Sequence, residues 1–264
     1  GLRRTAMFPV YGLAEASLAV SLPPPGRVYR SLTVDRRSLG VAAVAQRVPD
    51  DDPHAIRLMC EGQPVRFTSV KLVDDAGVEV APDQVGHVLI RGDNVTRGYF
   101  RNPQANAAAI TPDGWLNTGD LALLYEGEFY ITGRSKEIIF VNGQNYYPHD
   151  LEMILQGEQG LEHGKVAAAG VRNPDAPTDE LVLFVTHKGD MADFVTIAAK
   201  AVHLVNEHAG VEVARVVPVR RIPKTTSGKL QRNALATAYE DGEFAAELAE
   251  FDQAWAALHG QGRA

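Results

Sequence analysis

The chain has 264 residues, enough for one large or two modest domains, and its 45% hydrophobic content supplies material for a proper core. Its 26 basic against 33 acidic residues leave a net charge of −7, which argues against a nucleic-acid binder and does not favour adhesion to an anionic membrane. No apolar run approaches the roughly 20 residues that cross a bilayer, and the single cysteine, Cys60, excludes a disulfide framework or a cysteine-rich metal site, making a reducing cytoplasm the default location.

The opening Gly-Leu-Arg-Arg-Thr is no secretory signal, and a motif-like Tyr11-Gly12-Leu13-Ala14-Glu15 follows with no leading element, so the chain is expected to be a fragment. From residue 20 to about 62 periodicity is poor, and the run Leu22-Pro23-Pro24-Pro25-Gly26 and the cluster Asp50-Asp51-Asp52-Pro53 suggest a loop-rich insertion. Short strands are then predicted at 67–73, 87–91, 121–125 and 128–132, separated by turns such as Asp74-Asp75-Ala76-Gly77 and Glu126-Gly127. Beyond Gly133 the rhythm changes. A strand pair at 137–142 leads to a helix from Pro148, strands at 166–171 and 181–187, and a long helix marked by Phe194, Ile197, Ala198, Ala201, Leu204 and Val205, with Gly210 as its left-handed cap. A strand at 214–219 precedes a basic loop at 220–229, and Phe244, Leu248, Phe251, Trp255 and Leu258 make the tail an amphipathic helix. The fold class is therefore α+β, with a β-rich part at 1–133 and a small α+β domain at 134–264.

Four segments carry chemistry. In Tyr11 to Glu15 an aromatic ring able to stack on adenine stands four residues from a carboxylate able to hold a magnesium ion bridging phosphates. By itself this also reads as a core tyrosine beside a solvated glutamate. Asp120, in Thr118-Gly119-Asp120, is predicted at a strand start, where a carboxylate can accept both ribose hydroxyls; as an isolated triplet it reads as a turn aspartate. Gly133-Arg134-Ser135-Lys136 supplies a guanidinium for ribose or phosphate, and Lys136 is either a pivot or a plain surface lysine. Pro223-Lys224-Thr225-Thr226-Ser227-Gly228-Lys229 puts a lysine at the end of a mobile loop, with Lys224 as the lesser candidate and a solvated basic turn as the bland alternative. It is not a nucleotide P-loop, because the first glycine of that pattern is missing. The eight histidines are scattered without ligand spacing, so no zinc site is predicted.

Taken in this order and spacing over Tyr11 to Glu15, Asn117 to Leu124, Gly133 to Glu152 and Pro223 to Arg232, the four segments resemble the adenylate-forming (AMP-binding) superfamily, which includes acyl-CoA synthetases, adenylation domains of peptide synthetases and fatty acyl-AMP ligases. The resemblance covers nearly the whole chain but begins partway into the family's large domain, after its Ser/Thr/Gly-rich phosphate loop. It implies the β-rich end of that large domain followed by the small mobile C-terminal domain, with ATP/AMP and Mg²⁺ as cofactors. It assigns nucleotide contact to Tyr11, Gly12, Asp120 and Arg134, magnesium to Glu15, the hinge to Lys136 and the catalytic role to Lys229, inserted where negative charge builds as pyrophosphate leaves.

The insertion at about 17–62 and the wording Asn142-Gly143-Gln144-Asn145-Tyr146-Tyr147-Pro148 are more like fatty acyl-AMP ligases than CoA synthetases. The resemblance thus implies a fatty acid substrate and an acyl carrier protein or polyketide/peptide synthase as acceptor. The competing expectations are a long-chain acyl-CoA synthetase, with CoA as acceptor, and a non-catalytic carrier-docking or regulatory module.

Overall fold

The computed structural model describes residues 1–142, 144–172, 178–226 and 228–259. It divides the chain into two compact units, Gly1–Lys136 and Glu137–Ala264. The division falls three residues beyond the break drawn from sequence, because Arg134 ends a strand of the first unit.

The first unit begins with β1 (Tyr11–Leu13), a single 3-10 turn, and β2 (Leu18–Leu22). Contrary to the loop-rich expectation for 20–62, β3 (Ser31–Asp35) and β4 (Ala55–Met59) follow as an antiparallel pair, burying Leu32, Val34, Ile56 and Leu58. The long Pro- and Asp-rich connection between them masks the alternation that each short strand carries.

That pair is joined to the rest by charge as well as by packing: Arg27 and Arg30 both donate to the buried Glu128, at 2.6 and 2.8 Å for Arg27 and 2.8 Å for Arg30. The Arg27 guanidinium in consequence holds the Glu128 carboxyl below the usual carboxylate range.

After the short β5 (Gln63–Pro64), the strands β6 (Thr68–Val73), β7 (Gly86–Gly92), β8 (Leu116–Tyr125) and β9 (Glu128–Arg134) form an antiparallel sheet in chain order, with α1 (Pro103–Ala109) between β7 and β8. Glu126 and Gly127 close the β8–β9 hairpin with φ of 52° and 75°, a left-handed pair that matches the twist of the flanking strands. Alternate residues Val88, Ile90, Leu116, Ala122 and Phe129 turn one face of this sheet inward against Tyr11, Ala16 and Val20. The sheet thereby becomes the platform on which β1 lies.

The second unit starts with the β10 (Ile139–Val141) and β11 (Gln144–Tyr146) pair and α2 (Pro148–Leu155). Its sheet consists of β12 (Val166–Arg172), β13 (Asp179–Thr186) and β14 (Val213–Val219), antiparallel between the first two and parallel between the last two. The parallel step is made through α3 (Met191–Ala209), capped by the Asp190 carboxylate accepting from Ala192 N at 2.9 Å and ended by Gly210 at φ 67°.

Leu181, Leu183 and Val185 face Leu151, Leu155, Phe194, Ala198 and Val205; Val182 and Phe184 face the other way, towards Ile222 and Leu235. This strict alternation is why both faces of β13 read as one apolar run. The chain ends in α4 (Arg232–Glu240) and α5 (Ala245–His259). The apolar stripe of the tail packs on its own unit: Phe251 meets Phe194 edge-on at 5.5 Å, and Phe244 and Leu248 pack beside Phe184, whereas Leu258 stays exposed. Among the described residues no helix is long and apolar enough to cross a membrane.

Candidate functional site

Asp120 lies opposite Arg134 in the β8–β9 ladder, just before a bulge at Leu121/Ala122. It is the fifth residue of the ten in β8, not the strand's first as the sequence suggested, because Gly119 at φ 75° kinks the strand without ending it. The carboxylate of Asp120 is buried there, with only 6% of the residue exposed.

There Asp120 Oδ2 accepts the Tyr11 hydroxyl at 2.7 Å, and Oδ1 accepts Arg134 Nε at 2.7 Å. Thr118 Oγ1 accepts Asp120 N at 3.1 Å and itself donates to Val88 O, fixing the backbone that carries the carboxylate. Burial and the adjacent Asp120 charge push the Tyr11 hydroxyl upward, so it remains a proton donor throughout the physiological range. A carboxylate oxygen accepts more than one hydrogen bond, and a carboxylate so placed is the kind of acceptor that a vicinal pair of hydroxyls suits.

Three residues singled out from sequence, Tyr11, Asp120 and Arg134, thus meet in one place. The Tyr11 ring itself is 7% exposed and packs in the core of the unit, while its hydroxyl orients Asp120. Gly12 is required by a close approach: a Cβ there would lie 1.7 Å from the Leu18 carbonyl oxygen on β2.

Glu15 sits on the 3-10 turn between β1 and β2; Ser17 and Leu18, at φ 51° and 95°, stop the turn after one round. Its Oε1 accepts the Tyr99 hydroxyl at 2.8 Å, and its backbone oxygen accepts Thr96 N at 2.7 Å. Asn94 braces the same turn by donating to the Ala16 and Ala19 carbonyls. Tyr99 and Asn94 escaped the sequence reading because nothing local marks them; they come to Glu15 only through the loop after β7. Among the described residues no group of three or more His, Cys, Asp or Glu side chains could hold a metal. A half-buried single carboxylate suits an ion that draws its remaining ligands from phosphate oxygens and water, as Mg²⁺ does.

Arg134 keeps half of its side chain in solvent. Lys136 is exposed on the turn Ser135–Glu137, and Ser135 Oγ donates to Gly119 O at 3.2 Å. In the second unit Lys229 is exposed on a loop closed upon itself: Thr225 N donates to Lys229 O at 2.8 Å, and Lys229 N to Thr225 Oγ1 at 3.1 Å. Lys224 is exposed as well, with its ammonium near Gly164.

Residues 2–100 match the family of AMP-binding enzymes. The chain is 36% identical over 248 residues to a putative acyl-CoA synthetase of Caulobacter vibrioides, covering 92% of this chain and 43% of that protein. It is 34% identical over 264 residues to the long-chain-fatty-acid–AMP ligase FadD26 of Mycobacterium tuberculosis, covering 92% and 44%. In structure it is similar, with a TM-score of 0.86 and 30% identity, to an adenylation, ketoreductase and pseudo-Asub structure of a keto acid-selecting NRPS module, covering 98% of this chain and 22% of that one. The chain spans less than half the length of the curated relatives it matches.

Proposed function

We propose, from a chain whose residues 2–100 match the AMP-binding enzymes, that it forms the carboxyl-terminal portion of a fatty acyl-AMP ligase, which activates a fatty acid with ATP and passes the acyl group to a carrier-protein phosphopantetheine thiol. The observation that supports this reading is the convergence of Tyr11 and Arg134 on the buried carboxylate of Asp120, an acceptor of the kind a ribose diol needs. The similarity to a long-chain-fatty-acid–AMP ligase supports the substrate class, and the likeness to an NRPS module supports a carrier as acceptor.

A carboxylate is a poor acyl donor. In the first half-reaction its oxygen bonds to the α-phosphorus of ATP while the bond to the bridging oxygen breaks, and pyrophosphate departs with that electron pair. Asp120 and Arg134 hold the ribose and fix the line of attack. Lys229 brings an ammonium to the charge that grows on the carboxylate and α-phosphate oxygens. Glu15, steadied by Tyr99, would hold magnesium, which supplies neutralisation of the leaving phosphates. In the second half-reaction the thiol attacks the acyl carbon and AMP leaves, after the second unit turns at Lys136. A cytoplasmic setting suits the lone, buried Cys60.

A second reading, an acyl-CoA synthetase, is favoured by the similarity to the Caulobacter protein. The two differ only in the acceptor. Offering CoA and a holo carrier protein side by side to the full-length protein, with a long-chain fatty acid and ATP, separates them: acyl transfer to the carrier alone supports the ligase, and acyl-CoA as the main product overturns it.

A further inference from the structure

The second unit contains an ion network that the roles above leave unused. Arg232, the first residue of α4, stands three positions after Lys229. Its Nε and Nη2 donate to the two oxygens of Glu152 at 2.7 and 2.8 Å, and its Nη1 donates to Glu137 Oε2 at 2.8 Å. The guanidinium is 14% exposed, with Glu152 at 11% and Glu137 at 30%. Glu152 Oε1 also accepts Ala168 N at 3.0 Å, which ties the network to β12.

As a source of stability this arrangement is poor, since two carboxylates and one guanidinium lose hydration that well-packed apolar side chains would never have needed. What a planar fork does supply is direction, because its donors bind in one plane at fixed angles. The object so directed is the loop carrying Lys229. Besides the Thr225 bonds to Lys229, Gly228 N donates to Thr225 O at 2.9 Å, Lys224 bridges Leu230, and Gln231 N donates to Pro223 O at 2.9 Å. These bonds tie Lys229 to the root of the loop at Pro223 and Gln231. Ile222 and Leu230 pack that root into the apolar cluster beside α4, setting its depth but not its bearing. Arg232 is the next residue, and it reaches Glu137, the first residue of the second unit and the neighbour of Lys136.

We propose that Arg232 is the positioning residue of the lysine loop, fixing the loop's bearing against Glu152 and against Glu137 beside the hinge, so that the Lys229 ammonium meets the reacting phosphate. This rests on the reading of Lys229 as the adenylation lysine, and the test therefore includes Lys229→Ala. In the full-length protein, acid-dependent pyrophosphate exchange reports the first half-reaction, acyl transfer from supplied acyl-AMP reports the second, and thermal unfolding reports the fold.

Arg232→Gln is expected to lower kcat for exchange by roughly 10- to 100-fold with KM for ATP nearly unchanged, and to leave transfer within about threefold, the scale of a displacement near 1 Å of a reacting group. Glu137→Gln, which spares the paired bonds to Glu152, is the milder variant should Arg232→Gln unfold; it is expected to reduce exchange by about threefold to tenfold with the same selectivity. Arg232→Lys keeps the charge without the fork and is expected to recover only a small part of the loss. Equal loss in both half-reactions, full recovery by Arg232→Lys, or Glu137→Gln and Arg232→Gln both indistinguishable from the parent would overturn the assignment. Normal exchange by Lys229→Ala would overturn the reading beneath it as well.

Discussion

Replacing Asp120 by Asn tests the proposed nucleotide site with little change of shape. The carboxylate is 6% exposed and already bonded to Tyr11 and Arg134, so the amide can keep both partners: its oxygen accepts Arg134 Nε and its nitrogen donates to the Tyr11 oxygen, whose own proton turns to Thr118. Thermal stability should fall only slightly. The ribose side fares worse, because the amide nitrogen cannot accept a hydroxyl and the remaining oxygen has lost its charge. One charge-assisted bond lost, at about 2 kcal/mol, and one weakened by about 1 kcal/mol amount to roughly 3 kcal/mol, or about 150-fold in affinity. Calorimetric titration of the full-length variant with AMP measures this directly, with Tyr11→Phe as the comparison, expected to lose less than about tenfold because the carboxylate survives. An Asp120→Asn protein that folds normally and binds AMP within about threefold of the parent would refute the ribose assignment.

Lys229→Ala is expected to cut adenylation by about 100-fold or more while transfer from supplied acyl-AMP changes little, with Lys224→Ala mild in both; equal effects of the two lysines on exchange would contradict the assignment. Gly12→Ala forces a Cβ into the Leu18 carbonyl and should destabilise the first unit by roughly 2 kcal/mol, read as a lower unfolding midpoint that Gly12→Ser shares. Burial pushes the Glu61 carboxyl up to about 7 from an ordinary 4.5, so the folded state holds a proton that the unfolded chain releases between those values. Its contribution to stability is complete below pH 4.5 and is lost as pH rises towards 7. Glu61→Gln should therefore unfold at a higher temperature than the parent at pH 7.5 but not at pH 4.5, and a difference independent of pH would count against the buried carboxyl.

The parts of this chain that were legible in sequence are those whose signals are local. The β8–β9 turn was marked by Glu126-Gly127, α3 by its apolar spacing and Gly210, and the tail helix by its stripe of aromatic residues. What was missed depends on residues brought together from afar. The strands β3 and β4 are separated by a long polar connection, and each is too short to be seen without its partner. The role of Asp120 is implied by the resemblance that the four segments carry together and not by its triplet, and the Tyr11 hydroxyl that orients it comes from 109 residues away. The same distance problem hid Tyr99 behind Glu15 and Arg232 behind Glu137 and Glu152, since each pair is formed only by the course of the backbone. The ring of Tyr11, which the sequence presents as able to stack on adenine, is largely enclosed by the first unit's core, a matter of packing that a five-residue motif does not encode.

In the proposed reaction Asp120, Arg134 and Lys229 serve the attack of a carboxylate on the α-phosphate of ATP. It is tested most directly by exchange of labelled pyrophosphate into ATP catalysed by the full-length protein, with and without a long-chain fatty acid. The expected result is exchange that requires the acid, is accompanied by acyl-AMP detectable by mass spectrometry, and disappears in Lys229→Ala. Exchange that is absent with every carboxylic acid offered, or that persists undiminished in Lys229→Ala, would contradict it.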